Sequence, residues 1–263
     1  MSASRWGLIL ATALLAAVAV WYYLFQPPPP PPPPPPPVAE VVPEPPPPPP
    51  PDYPVPAAAP DAPALPAVDD SDSPFRAALT GIAGAAPLEA WLIPDMLIRR
   101  IVVTIDNLTR NRLALKLRPL KPVPGGFAVD GGEAAFTISD SNAMRYHAAL
   151  AVLQAIDDQA LVNLYFRWYP LFQQAYRDLG YPGESFNNRV IEVLDHLIGT
   201  PDVAMPIALV KPKVYYEYAD PALENASSGR RLLWRIGSDN RQALIAKLIA
   251  IRGRIVTGGV AVP

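Results

Sequence analysis

The sequence predicts a mainly α protein: a single helical domain with a small β-hairpin or extended element, preceded by one transmembrane helix and a polyproline II linker. Three observations lead to this prediction. Apolar residues recur at helical spacing through most of residues 74–256. Of the 37 prolines, 25 lie between Pro27 and Pro74, and residues 6–25 form an uncharged apolar run. The chain therefore divides into a cytoplasmic tail (1–5), a transmembrane helix (6–25), a linker (26–73), a helical domain (74–256) and a flexible tail (257–263).

The uncharged run over residues 6–25 predicts the transmembrane helix. At about 1.5 Å rise per residue it spans the roughly 30 Å hydrocarbon core of a bilayer. Arg5 precedes the run and the next basic residue is Arg76, so the positive-inside rule places the N terminus in the cytoplasm. A signal peptide cleaved after residues 17–19 is the alternative. Because the apolar run continues well beyond that point, we favour the uncleaved anchor.

The linker contains two uninterrupted proline runs, residues 27–37 and 45–51. Proline fixes φ and removes the amide donor, which leaves polyproline II, a helix that rises about 3.1 Å per residue. A stiff spacer that holds the domain away from the membrane is the prediction. A docking site for a proline-binding partner is the alternative, and proline patterns this dense do not discriminate between the two.

The helices of the domain are predicted from apolar spacing and from capping residues. Asp157, Ser185 and Ser238 are suited to cap the helices that follow them, and Gly180 is suited to end one. Pro170 lies inside the longest pattern and is expected to kink or divide that helix. The predicted helices cover residues 97–108, 143–156, 157–179, 185–198, 228–236 and 238–255.

The β element is predicted around Asp130-Gly131-Gly132, a turn-forming tripeptide between Phe127–Val129 and Ala134–Ile138. Two further extended stretches are expected, over residues 207–210 and 213–218. A strand also remains open at residues 101–103, where three β-branched residues interrupt the helical pattern.

Composition and motifs exclude several kinds of site. The chain has no cysteine, so disulfides, thiolate metal sites and cysteine nucleophiles are excluded. With two histidines, a multi-histidine metal centre is excluded as well. Neither a phosphate-binding loop nor a dinucleotide-binding glycine motif occurs, so nucleotide binding has no support. We therefore predict no metal and no cofactor.

Three segments of the domain carry a family resemblance. Residues 164–182 read LYFRWYPLFQQAYRDLGYP, residues 185–201 read SFNNRVIEVLDHLIGTP, and residues 99–108 read RRIVVTIDNL. These segments, with the stretch at 214–237, resemble the DUF3014 family over about residues 88–255. The resemblance implies a bacterial envelope protein with an N-terminal anchor. With the orientation given by the positive-inside rule, the anchor is expected in the inner membrane and the domain in the periplasm. It implies no activity and transfers no catalytic residue.

Glu192 and His196 are the candidate catalytic pair. They are four residues apart on a predicted helix, so the carboxylate is placed to orient the imidazole as a general base. No nucleophile is identifiable beside them, because Ser185 is better explained as a helix cap. The more ordinary interpretation is a histidine hydrogen-bonded to a helical neighbour.

Charge is unevenly distributed although the net charge is only −2. Residues 99–121 and residues 230–254 each hold seven basic residues and one acid, whereas residues 130–202 hold ten acids and four arginines. Either these segments neutralise one another in the fold, or they create a bipolar surface. The residues predicted to bind an anionic surface in the second case are Arg99, Arg100, Arg110, Arg112, Arg230, Arg231 and Arg235.

Polar pairs and tyrosines each admit two interpretations. Asp106-Asn107 and Asn187-Asn188-Arg189 lie in apolar surroundings, which favours buried, hydrogen-bonded architecture over ligand binding. The tyrosines and tryptophan of residues 165–181, with the tyrosines of residues 215–218, are suited either to the core or to a sugar or peptide groove. The core interpretation is favoured for both groups of aromatic residues.

The sequence as a whole favours a membrane-anchored envelope protein with a non-catalytic interaction or scaffold domain. Its expected partners are the inner membrane through residues 6–25 and either an envelope protein or an anionic wall or lipid surface. A nucleic-acid partner is not expected, because the anchor places the domain outside the cytoplasm. The alternative function is a periplasmic enzyme that acts on cell-wall material through Glu192 and His196.

Overall fold

The computed structural model describes residues 52–57, 59–132 and 135–258. Within these ranges the protein is mainly helical with a small antiparallel sheet, as the sequence predicts. All of these residues belong to one compact unit. The predicted transmembrane helix and residues 26–51 of the predicted linker lie outside the described residues. Inside those ranges, no helix has the length and apolarity needed to cross a bilayer.

The elements follow one another with short connections. The helices are α1 (Asp72–Ala83), α2 (Ala85–Trp91), α3 (Leu97–Asn107), α4 (Ser141–Ala155), α5 (Asp158–Asp178), α6 (Phe186–Ile198), α7 (Pro221–Glu224), α8 (Ser228–Arg235) and α9 (Ser238–Val256). The strands are β1 (Val129–Gly132), β2 (Ala135–Ile138), β3 (Ala208–Val210) and β4 (Glu217–Tyr218). Short 3-10 turns form at Val68–Asp70 and Leu115–Leu117.

The sheet has the order β1-β2-β3-β4, and every neighbouring pair is antiparallel. Asp130, Gly131 and Gly132 pair with Thr137, Phe136 and Ala135, so all three belong to β1. The predicted hairpin is confirmed, whereas the predicted turn at these three residues is wrong. The stretch predicted over residues 207–210 is confirmed as β3, whereas of residues 213–218 only Glu217–Tyr218 form a strand, β4.

The main core lies where α1, α3, α5 and α6 pack together. Phe75 of α1 lies edge-on to Trp168 of α5 with ring centroids 5.0 Å apart, and Phe172 stacks on Phe186 of α6 at 6.0 Å. Trp168 and Tyr176 are buried in this cluster, so these aromatic residues serve the core, as favoured above. Each such side chain removes a large apolar area from water, which stabilises the packing of the four helices.

Two smaller clusters complete the interior. One joins the sheet to α8 through Ile138, Leu209, Tyr218 and Trp234. The other joins α6 to α8 and α9 through a set of aliphatic side chains that includes Leu197 and Leu233. Together they fix α6 between the helical core and the sheet.

The predicted helix signals are confirmed in most cases. Asp157 accepts a hydrogen bond from the amide of Ala160 and begins α5, and Ser185 does the same for α6 with Asn188. Ser238 is not a cap, because Gly237 occupies the N-cap position of α9. Helix α5 is not divided by proline, since it runs without interruption through Pro170, which is exposed. The strand left open at residues 101–103 is a helix, part of α3.

The folded part begins earlier than its composition indicates. Helix α1 starts at Asp72, two residues before the predicted boundary, and was not foreseen. Tyr53, Leu65 and Val68 pack against the main core although they fall in the range predicted as linker. Proline-rich composition excludes helix and sheet but does not prevent an extended segment from lying on a domain. Residues 52–71 therefore wrap the domain as an N-terminal extension.

Candidate functional site

A cleft of about 540 Å³ lies beside the N-terminal half of α6. One wall comes from α6 itself and from the loop that precedes it, and the other comes from the N-terminal extension. The lining is rich in acids and amides, and its polar side chains belong to Asp52, Tyr53, Glu184, Ser185, Asn188, Arg189, Glu192 and Asp195. Because Ser185 caps α6, its hydroxyl already accepts the amide of Asn188.

Arg189 lines the cleft and belongs to an ion-pair network centred on the buried carboxylate of Asp106. Its Nε donates to Oδ1 of Asp106 at 3.0 Å, and its Nη1 pairs with Oε1 of Glu192 at 2.6 Å. Arg110 donates to Oδ2 of Asp106 at 2.8 Å and to the hydroxyl of Tyr181 at 2.6 Å. Burial lowers the pKa of Arg189, but Glu192 and Asp106 outweigh it and the net pKa is raised. The guanidinium is therefore committed to holding α3 against α6.

Two neighbouring asparagines at the start of α6 bind the N-terminal extension, and Asn188 also lines the cleft. Asn187 is fully buried; its Oδ1 accepts the hydroxyl of Tyr165 at 2.9 Å, and its Nδ2 donates to the carbonyl of Tyr53 at 2.9 Å. Asn188 Oδ1 accepts the amide of Tyr53 at 3.2 Å, and its Nδ2 donates to Asp52 at 3.3 Å. Asn187 is thus buried and hydrogen-bonded as predicted, and both asparagines also hold a segment of peptide.

These elements lie within the range of a single family model. The model describes a protein of unknown function (DUF3014), and it matches residues 97–252, more than half of the chain. The chain belongs to this family. The resemblance given by the sequence is thereby confirmed. No curated protein and no solved structure matches the chain.

In the DUF3014 domain Glu192 and His196 bond to different partners. Glu192 lines the cleft and pairs with Arg189, whereas Nε2 of His196 lies 2.7 Å from Oγ of Ser227 at the start of α8. Within the described residues no hydrogen bond or ion pair joins the two, and no three acidic or histidine side chains are grouped to hold a metal. Because Glu192 and His196 have different partners, the ordinary interpretation of His196 as a hydrogen-bonded structural residue is favoured.

The predicted anion-binding arginines of the first basic segment are largely engaged inside the domain. Arg99 pairs with Asp69 at 3.0 Å and with Asp178 at 2.8 Å, and it lowers the pKa of Asp178 below its ordinary value. Arg100 is buried and pairs with Asp95 at 2.7 Å. Arg110 belongs to the Asp106 network described above, while Arg112 is exposed.

The arginines of the second basic segment are engaged as well. Arg231 pairs with Glu224 at 2.9 Å, and Arg230 donates to the carbonyls of His196 and Gly199. The guanidinium of Arg235 lies 5.4 Å from the ring centroids of both Phe127 and Tyr218, a cation–π geometry. Arg99 and Arg100 also lie in the first turn of α3, whereas Arg110 follows the C-terminal end of that helix. The seven arginines therefore favour internal neutralisation over one shared basic face.

An exposed surface that sequence reasoning missed lies in the last part of the first basic segment. It consists of residues 113–121 and is here named the basic ridge. Leu115, Leu117 and Leu120 are 61%, 38% and 51% exposed, and the side chains of Lys116 and Lys121 accompany them on the surface. The available signal was the alternation of leucines with basic residues in residues 113–121, LALKLRPLK. Several exposed leucines in one short segment are typical of an interaction surface rather than of a solvated loop.

Buried Arg100 fixes the shape of the basic ridge. Its Nη1 donates to the carbonyls of Lys116 at 2.8 Å and Arg118 at 3.3 Å, from beneath the segment. The backbone of Leu120 also forms a β-bridge with Leu92. The ridge is thus held in one conformation although it contains little regular secondary structure.

Proposed function

We propose that this DUF3014 protein is a single-pass envelope protein with a cytoplasmic N terminus and a periplasmic, non-catalytic interaction domain. The uncharged run at residues 6–25 and the basic residue Arg5 before it support the anchor and its orientation. A fusion of alkaline phosphatase to the C terminus tests this part of the proposal. We expect the phosphatase to be active; a fluorescent C-terminal GFP fusion with inactive phosphatase contradicts the orientation.

The basic ridge is the observation that supports an interaction domain. Transfer of exposed leucines into the interfacial region of a bilayer is favourable. Each nearby lysine or arginine adds about 1 kcal/mol to the free energy of binding to an anionic surface. A preformed surface also avoids the entropic cost of ordering a loop on binding. The ridge therefore fits an anionic lipid surface better than a wall polymer, which offers no apolar phase for the leucines.

Co-sedimentation of residues 47–263 with vesicles of mixed neutral and anionic lipids tests the ridge. We expect binding that weakens with salt, because the Debye length falls from about 10 Å at 0.1 M to about 3 Å at 1 M. Lys116→Glu is expected to weaken binding about tenfold or more, and Leu115→Ser to weaken it without abolishing the salt dependence. Lys213→Glu changes an exposed lysine outside the ridge and serves as the charge-matched control.

Three results contradict the lipid assignment. They are absence of binding at low salt, binding indifferent to salt, and equal losses in Lys116→Glu and Lys213→Glu. Binding to purified sacculi in place of vesicles assigns the wall as the partner. Capture of an envelope protein that depends on the same ridge residues assigns a protein partner instead.

A further inference from the structure

The contact between α6 and the N-terminal extension has the form of peptide recognition. Asn188 accepts the amide hydrogen of Tyr53 at 3.2 Å, and Asn187 donates to the carbonyl of the same residue at 2.9 Å. Two side chains from the first turn of one helix thus satisfy both backbone groups of a single residue. Main-chain bonds of this kind bind an extended peptide, and flanking contacts select its side chains.

Side-chain contacts give the site a selectivity for the residues that surround this backbone. Nδ2 of Asn188 donates to the carboxylate of Asp52 at 3.3 Å, which favours an acid before the aromatic residue. The half-buried ring of Tyr53 packs against the main core. The pKa of Arg252 is raised, first by its bond to Asp195 and also by the phenol of Tyr53, so the hydroxyl end lies beside a cation.

The geometry assigns these residues a function beyond the interaction surface proposed above. We infer that Asn187 and Asn188 form a binding site for an extended acid–tyrosine–proline peptide, which the chain's own Asp52-Tyr53-Pro54 occupies and which exchanges it for the same sequence supplied in trans. The occupant directly follows the proline run at residues 45–51 and contains Pro54, and because proline fixes φ a peptide of this composition loses little backbone entropy on binding. Asn187 is fully buried with the extension in place, and departure of the extension removes the acceptor of its Nδ2, which the carbonyl of a peptide supplied in trans restores.

If the proposed membrane anchor is correct, peptide exchange lengthens the free part of the linker. Release of residues 52–62, which precede the contact of Arg167 with the carbonyl of Pro63, adds about 35 Å of reach at the polyproline II rise of about 3.1 Å per residue. A peptide that enters the site thus changes how far the domain stands from the membrane. This consequence depends on the anchor, whereas the binding site does not.

Fluorescence anisotropy with the full chain in detergent micelles tests the site directly. The probe is a labelled peptide of residues 51–56, Pro-Asp-Tyr-Pro-Val-Pro. Tyr53→Pro in the chain removes both the amide donor and the ring, so the chain's own segment leaves the site. We expect this variant to bind the probe at least tenfold more tightly than the wild-type chain, in which the tethered segment competes at millimolar effective concentration.

Two controls make the result specific. Asn188→Ala in the Tyr53→Pro background is expected to abolish binding, and a probe with proline in place of its tyrosine is expected not to bind. A folded Tyr53→Pro chain that ignores the probe, or that binds both probes equally, overturns the inference.

Hydrogen exchange of the wild-type chain provides a second measurement that needs no variant. The amide of Tyr53 is expected to be protected and to exchange at least tenfold faster when unlabelled peptide is added in excess. Unchanged exchange at saturating peptide means that residues 52–54 are a fixed part of the domain, and it overturns the inference. Neither readout depends on lipid binding, so failure here leaves the ridge proposal intact.

Discussion

The carboxylate of Asp72 caps helix α3 from a helix that precedes it in the chain. Oδ1 of Asp72 accepts the amide of Leu97 at 2.7 Å, and Oδ2 accepts the amide of Met96 at 2.7 Å. Met96 is the N-cap residue of α3, has a left-handed φ of 51°, and cannot provide a side-chain cap of its own. Two amides at the positive end of α3 are thus satisfied by a charge, which stabilises both helix starts together.

Removal of this cap is expected to destabilise the domain. Asp72→Ala leaves two amides at the start of α3 without their acceptor and lowers the free energy of unfolding by about 0.5–2 kcal/mol. Denaturant unfolding followed by circular dichroism measures the change. Asp61→Ala, at an exposed position in the N-terminal extension, is the matched control and is expected to change stability by less than about 0.5 kcal/mol. Equal effects of the two substitutions contradict the capping role.

Removal of Asp106 is expected to lower the free energy of unfolding more than removal of the Asp72 cap does. Asp106→Ala removes the partner of two arginines, of which Arg189 has only 13% of its side chain exposed. Arg189 keeps its pair with Glu192, whose side chain is 63% exposed, but it loses its buried acceptor at Asp106, so this substitution is expected to lower the free energy of unfolding by about 1.5–3 kcal/mol. The control is Asp69→Ala, which leaves Arg99 paired with Asp178 at the surface and is expected to cost less than about 1 kcal/mol. A loss under 1 kcal/mol for Asp106→Ala shows that the network contributes little.

Helix α8 approaches its neighbours too closely for any side chain at Gly229. A Cβ built there would lie 2.8 Å from the carbonyl oxygen of Leu108 and 2.5 Å from Cδ2 of Leu197. Because the first of these atoms is backbone, Gly229→Ala is expected to destabilise the domain by about 1–3 kcal/mol. Gly253 lies in α9 with open space around its Cβ position, so Gly253→Ala is expected to stabilise by about 0.5–1 kcal/mol. Thermal melts measure both variants against the wild type, and we expect a lower Tm for Gly229→Ala and a higher Tm for Gly253→Ala.

The features that the sequence predicted well depend on residues close together in the chain. Apolar spacing and the caps Asp157 and Ser185 define α5 and α6 without reference to the rest of the molecule. The Asp72 cap and the asparagine contacts to Tyr53 join residues 25 and 134 positions apart, so no local pattern could indicate them. Composition misled in the same way at residues 52–71, where proline content concealed an ordered segment.

The arginines show the same limit for the candidate site. Counting charges located the two basic segments, and it left open whether acids neutralise them. Only the fold shows that Arg100 is buried and pairs with the exposed carboxylate of Asp95, while Lys116 is exposed on the ridge. Likewise, spacing on a helix allowed Glu192 to meet His196, but each side chain has a closer partner on another turn or another helix.

His196 is expected to make the stability of the domain depend on pH. Burial lowers its pKa from the ordinary value of 6.5, the nearby cations of Arg230 and Arg189 lower it further, and Glu192 opposes them only in part. Oγ of Ser227 accepts the amide of Arg230, so its hydroxyl hydrogen is placed to bond Nε2 of the neutral imidazole. The folded domain thus favours the uncharged ring.

The direction of the pH effect follows from proton binding. Between the lowered folded pKa and 6.5, the unfolded chain binds more protons than the folded one, so stability rises with pH in that interval. The contribution is fully present above about pH 6.5 and is lost as the pH falls below it. His196→Gln cannot titrate, and its unfolding free energy is expected to fall less than that of the wild type between pH 7.5 and 5. Denaturant unfolding of both proteins at the two pH values measures the difference, to which carboxylates common to both contribute equally. A wild-type loss equal to or smaller than that of His196→Gln shows that the folded domain does not disfavour the imidazolium.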